Sequence, residues 1–231
     1  YMLGYMYDFG IGIKQNHKEA VEWYSLAAEQ HYSGAQAGLG SKYLHGNGLK
    51  KNYEEALKLF QLAAEKKNSH AQQSLGYMYQ RGYGVTRDYK KALELYKLSA
   101  EQQNSYAEYN IGSMYYEGYG VVKDQKEALK WFRLAAENRV PMAQKALGEM
   151  YEKGEGTAKD YVLAHMWYQL FSSYQPATSD QKNNQRLIQS LEIRMTSGQI
   201  KKAKELAKEN PLLNRRSSER IESQCFNKLV R

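Results

Sequence analysis

The chain has 231 residues, 21 Tyr, three Pro, one Cys and a formal net charge of +8. Scarce proline among abundant Ala, Leu, Lys and Glu favours helix throughout, and a single cysteine excludes an intramolecular disulfide. No window approaches 18 consecutive apolar residues, which excludes a transmembrane helix.

Taken in chain order, the first element already belongs to a pattern copied five times at an interval of 36 residues. Gly4, Gly40, Gly76, Gly112 and Gly148 mark it, as do Gly10/Gly12, Gly46/Gly48, Gly82/Gly84, Gly118/Gly120 and Gly154/Gly156. A fixed period of this length predicts a solenoid of paired helices. The chain begins inside a copy, which leaves its native N-terminus and any signal peptide out of view. Helix A is expected near residues 34–45 and helix B near 53–66, both repeating at +36. On helix A, Ala71, Leu75 and Tyr79 form one stripe. Ser69-His-Ala-Gln72 reads as a capping box, matched by Ser33/Gln36 and Ser105/Glu108, with Pro141 at the last start. Gly82 supplies a left-handed residue to end the helix, and Gly84 with Val85 turns the chain back. Helix B starts at Asn16, Asn52, Asp88, Asp124 or Asp160, each a good N-cap, with Glu19, Glu55 and Glu127 three residues on. Its central large residue is Tyr24, Phe60, Tyr96, Phe132 or Tyr168, read as core because small residues opposite let helices approach closely.

After a turn-rich break at Gln175-Pro-Ala-Thr-Ser-Asp180, Leu187, Ile188, Leu191 and Met195 share a helical face. Thr196-Ser-Gly-Gln199 is a further capping box, and Ile200, Ala203, Leu206 and Ala207 continue an amphipathic helix to Pro211. The expected divisions are repeats over 1–173, capping helices over 174–210 and a basic tail over 211–231. The charge is uneven: 12 Lys or Arg stand against 6 Asp or Glu from Tyr174 onward, and 21 against 19 before it. Arg215, Arg216, Arg220, Lys228 and Arg231 give the tail weak electrostatic affinity for nucleic acid or anionic membrane.

The run Ala107-Glu-Tyr-Asn-Ile-Gly-Ser-Met-Tyr, followed by Gly118-Tyr-Gly-Val, Asp124-Gln-Lys-Glu-Ala128 and Trp131-Phe-Arg-Leu-Ala-Ala136, resembles the Sel1-like repeat, a relative of the tetratricopeptide repeat. Departures are confined to the last copy, where Thr157 replaces Val and Phe171-Ser172 replace Ala-Ala. The resemblance implies an all-α fold: a right-handed α-solenoid of five 36-residue helix-turn-helix repeats, the first truncated, plus C-terminal capping helices. It further implies a non-enzymatic adaptor or scaffold. Such proteins serve in membrane-associated degradation complexes, in signalling and in bacteria that contact host cells.

No residue earns a catalytic, cofactor-binding or metal-binding role. The Gly-x-Gly pairs lack the following strand and third glycine of a nucleotide loop, and His17, His31, His45, His70 and His165 are scattered without ligand spacing. Cys225 has no base nearby and reads as an unreactive thiol. Function is therefore expected on the concave face lined by helix A, with a protein or peptide partner and no small-molecule substrate. In the positions that related repeats use for contact stand Tyr5, Asp8 and Phe9, then Ala37, Ser41, Leu44 and His45. The third copy offers Gln73, Tyr77, Gln80 and Arg81, and the fourth Tyr109, Ser113, Tyr116 and Glu117. The last offers Lys145, Glu149, Glu152 and Lys153. An alternative is a secreted bacterial enzyme-like or β-lactam-binding relative. Those carry paired cysteines in each repeat, and this chain has none. The lone cysteine fits a cytoplasmic protein and equally a secreted one without disulfides.

Overall fold

The computed structural model describes residues 1–173 and 179–210, with side chains from 184 onward in the second stretch. Residues 174–178, the basic tail and Cys225 lie outside the described residues. Among those described there are twelve α-helices and no strand. They are α1 (Met2–Phe9), α2 (His17–Glu29), α3 (Ser33–His45), α4 (Tyr53–Glu65), α5 (Ser69–Arg81), α6 (Tyr89–Ala100) and α7 (Ser105–Glu117). Then follow α8 (Gln125–Glu137), α9 (Pro141–Lys153), α10 (Tyr161–Ser173), α11 (Ser179–Glu192) and α12 (Ser197–Glu209). The chain forms two compact units, Tyr1–Lys123 and Asp124–Arg231. Within the first, α1 to α7 pack consecutively; within the second, α8, α9 and α10 do the same and both α11 and α12 pack on α10.

Helix ends follow local chemistry. Asn16, Asn52, Asp88 and Asp124 cap helices B in extended backbone, their side chains accepting from first-turn N–H groups. Asp160 Oδ1 does so for Val162 and Leu163, at 2.9 and 3.0 Å. Gly46, Gly82, Gly118 and Gly154 end helices A at φ between +72 and +78°, and the Gly82 and Tyr83 N–H groups both donate to the Met78 carbonyl. Valine at position 82 would be forced into a left-handed conformation, so Gly82→Val is expected to cost about 1 kcal/mol or more. A thermal melt equal to the unsubstituted protein's would contradict this.

The second glycine of the last four pairs, also left-handed, has a further cause. A β-carbon on Gly48 would lie 2.4 Å from the His17 carbonyl oxygen, and one on Gly156 2.3 Å from that of Gln125. The turn of one copy thus presses on the start of the preceding helix B. Where the residue between the glycines is tyrosine, its ring stacks there: Tyr83 on Tyr53 at 4.7 Å and Tyr119 on Tyr89 at 4.9 Å.

One expectation needs correction. Ser33, Ser69 and Ser105 are the first helical residues, not the caps; the caps are Tyr32, Asn68 and Asn104, and Val140 precedes Pro141. Asn68 Oδ1 accepts from the Ala71 N–H at 3.0 Å, so the asparagine upstream takes the role assigned to Ser69. That shift moves Gln72 one position too far to reach back. It is buried instead and accepts from the Gln102 amide at 2.7 Å. The capping box at Thr196 and Gln199 forms as expected. Asn210, before Pro211, is extended and ends α12.

The core repeats with the period. Tyr24, Phe60, Tyr96, Phe132 and Tyr168 are all buried. In four copies the helix A glycine makes room for that ring: a β-carbon on Gly4, Gly40, Gly76 or Gly148 would lie 2.9, 2.9, 2.8 or 2.4 Å from it. Met78, Met114 and Met150 complete the buried stripe of helix A.

Candidate partner-binding face

Each buried tyrosine of helix B meets an acceptor sixteen residues earlier, at the end of its own helix A. Tyr96 Oη donates to Gln80 Oε1 at 2.7 Å, Tyr168 Oη to Glu152 Oε2 at 2.9 Å, and Tyr24 Oη lies 3.5 Å from Asp8 Oδ2. Burial pushes all three phenols well above their ordinary range, so they stay protonated donors. In the copies with Phe60 and Phe132 the same position is Leu44 and Tyr116. Asp8, Gln80 and Glu152, expected to flank the groove, therefore also satisfy the core.

Asp8 is the centre of a buried polar cluster. Lys42 Nζ donates to its Oδ1, His17 Nδ1 lies 3.0 Å from the same oxygen, and the Gln15 amide donates to its backbone carbonyl at 2.8 Å. The side chains of Lys42 and Asp8 are only 6 and 8 % exposed. Lys42 occupies the register position of Met6, Met78, Met114 and Met150. Lysine is the one departure from methionine at that register, and the acid it meets stands at a register that differs in every copy: Asp8, Leu44, Gln80, Tyr116 and Glu152. With every Asp8 oxygen engaged and Lys42 shielded from solvent, the cluster serves packing.

A second polar cluster joins the last three helices. His165, fully buried on α10, contacts Glu192 Oε1 through Nε2 at 3.0 Å, and Lys204 of α12 reaches the same oxygen at 3.1 Å. A carboxylate only accepts, so Nε2 carries the proton and Nδ1 faces the interior without a partner. The hydrogen bond from His165 holds the Glu192 carboxyl below the usual range. Arg194 pairs with Glu152 and lies over the Tyr161 ring at 5.2 Å.

The remaining expected contact residues are distributed as follows. On α1, Tyr5 is half-buried and 4.6 Å from the ring of Phe9, which is 60 % exposed. On α5, Gln73, Tyr77 and Gln80 are half-buried and Arg81 is exposed. The Arg81 guanidinium lies over Tyr77 at 5.5 Å, and Tyr77 meets Tyr83 edge to face at 5.8 Å. On α7, Tyr109, Ser113 and Tyr116 are half-buried and Glu117 exposed; Ser113 Oγ donates to the Tyr109 carbonyl and Lys123 Nζ lies 5.4 Å from the Tyr116 ring centre. In the second unit, Lys145 and Glu149 form a half-buried ion pair at 3.7 Å. Leu44 belongs to the core, whereas His45 is exposed. Among the described residues no three His, Cys, Asp or Glu side chains converge as a metal site would need, and no helix is long and apolar enough to cross a membrane.

The Sel1 repeat profile matches residues 1–32, 33–68, 69–104, 105–139 and 141–173. A Sel1 repeat protein from Oxalobacter formigenes is similar over 81% of this chain and 72% of its own, at 34% identity and a TM-score of 0.69. The protein c5321, a protective antigen of uropathogenic Escherichia coli with the same repeat fold, is 38% identical over 75% of this chain and 37% of its own, with a TM-score of 0.63. Immunity protein Pa5087 from Pseudomonas aeruginosa shares the fold at 20% identity and a TM-score of 0.51, over 76% of this chain and 73% of its own. No curated protein gives a significant match. Five successive profile matches spanning residues 1 to 173, on an all-α framework of paired helices, mean that this chain belongs to the Sel1 repeat family.

Proposed function

We propose that this chain is a non-enzymatic adaptor that holds a partner protein or peptide against its helices A, with the aromatics of the third and fourth copies as anchors. Sel1 repeats generally serve as protein interaction scaffolds, which sets the class of function. The observation that carries the finer reading is the group on α5 and its turn. Tyr77 meets Tyr83 edge to face and carries the Arg81 guanidinium over its ring, while each of the three keeps part of its surface in solvent. Tyrosine and arginine held in place by neighbours are the side chains that most often anchor an interface, because little rotamer freedom remains to be lost on binding. Tyr109 and Tyr116 extend the same chemistry onto α7.

The test starts from a partner identified by pull-down and mass spectrometry. Changing Tyr77, Tyr109 and Tyr116 together to Ala is expected to weaken its binding by about 2 kcal/mol or more, roughly 30-fold, while the protein stays folded. Unchanged affinity would move the function to another surface. A collapsed melting curve would show that these half-buried rings are core.

A further inference from the structure

A leucine recurs at one register of every helix B: Leu26, Leu62, Leu98, Leu134 and Leu170. The first four are 43 to 52% exposed, although each of their helices already packs on the following helix A; Leu170 is at 0%. What differs is that α10 lies against both α11 and α12. The chain also changes its chemistry to suit. Val162, Met166 and Leu170 stand on α10 where α8 has Lys126, Lys130 and Leu134, and Met166 is buried whereas Lys130 is exposed. This face of helix B can thus receive amphipathic helices, and in the last copy it does so within the chain.

On α8 the same register remains open. Leu129, Lys130, Arg133, Leu134 and Glu137 line a solvent-facing depression of about 290 Å³, and they align with His165, Met166, Gln169, Leu170 and Ser173 of α10, of which His165, Met166 and Leu170 are buried. Arg133 is already committed, its Nη2 donating to Tyr151 Oη at 2.6 Å. Lys130 gives one hydrogen to Glu127 at 2.7 Å and keeps two for a second acceptor. We propose that this face of α8 docks an amphipathic helix of a partner protein whose apolar stripe covers Leu129 and Leu134 and whose flanking carboxylates meet Lys126 and Lys130. The charge of the occupant follows from the comparison between copies. Where α10 carries apolar Val162 and Met166, α8 carries two ammonium groups, and covering them without carboxylates would bury unpaired charge. The site lies on helix B and shares no residue with the helix A contacts proposed above, so either can fail alone.

The experiment titrates the intact protein against two fluorescein-labelled synthetic helical peptides that share one Leu/Ala stripe, flanked by Glu in the first and by Lys in the second. The Glu-flanked peptide is expected to bind about tenfold tighter or better by anisotropy. Leu134→Glu, at an exposed position, should leave the circular dichroism melt in place and weaken that binding at least about tenfold, whereas Leu98→Glu on α6 should not. Lys130→Glu should reverse the order of the two peptides. Equal binding of the two peptides, no binding below about 1 mM, or indifference to Leu134→Glu would overturn the proposal.

Discussion

Truncating Tyr96 to alanine is expected to destabilise the protein by about 3–5 kcal/mol, the range for removing a large buried ring whose site cannot collapse. Three observations set that size. The ring is fully buried, it lies against the backbone of Gly76 where a β-carbon would stand 2.8 Å from it, and its hydroxyl holds Gln80 at 2.7 Å. Glycine has no side chain with which to fill the void, so the cavity term adds to the lost transfer energy. Tyr96→Phe separates the two contributions. It keeps the ring and removes only the hydrogen bond, and because Gln80 is half-buried and can turn to water, about 1 kcal/mol is expected. Urea unfolding of the two variants measures both. If the phenylalanine variant were as unstable as the alanine one, the hydrogen bond and not the packed ring would be the larger effect.

Replacing Lys42 by methionine, the residue at that register in the other four copies, is expected to cost about 3–5 kcal/mol, because it leaves the Asp8 carboxylate buried without its cation. The double change Lys42→Met with Asp8→Gln recreates the Gln80, Tyr96, Met114 arrangement two copies further on, including an acceptor for the Tyr24 hydroxyl. A buried pair and a well-packed neutral replacement are usually close in stability, so the double variant should recover most of the loss, with a coupling of about 1–3 kcal/mol between the sites. Additive costs in the double-mutant cycle would mean that the two side chains do not compensate one another.

Both cases show what the repeat comparison made readable and what it left hidden. The central aromatics and the glycines opposite them were legible because a 36-residue copy displays the same large and small residues five times. The Tyr and acceptor pairs sixteen residues apart were equally present in the sequence, as Tyr24 with Asp8, Tyr96 with Gln80 and Tyr168 with Glu152. They are seen only by asking which positions change together between copies. Half-burial of Tyr77, Tyr109 and Tyr116 was not legible, since exposure at the edge of a helix depends on which neighbouring rings and cations lean over it. Nor were the left-handed residues of the turns from helix B to helix A. His31, Lys67, Gln103 and Arg139 have φ from 57 to 65°, and none of them is the glycine that announces such a conformation.

By itself the sequence determined the helices and their ends. A glycine at +φ, an Asx side chain over a free N–H and a 3.6-residue stripe act within a few residues of themselves, and no distant contact is needed for them to take effect. The tertiary structure showed that Asn68, upstream of the expected Ser69, caps its helix A, and that Gln72 is engaged by Gln102 thirty residues away instead of reaching back to the cap. It also decided that Lys42 is buried against Asp8, that His165 and Lys204 meet at Glu192, and that α11 and α12 both pack on α10, whose Leu170 is buried where Leu134 of α8 is exposed. Those outcomes rest on side chains 12 to 34 residues apart being brought within hydrogen-bond reach, and only the packing of whole helices sets that separation.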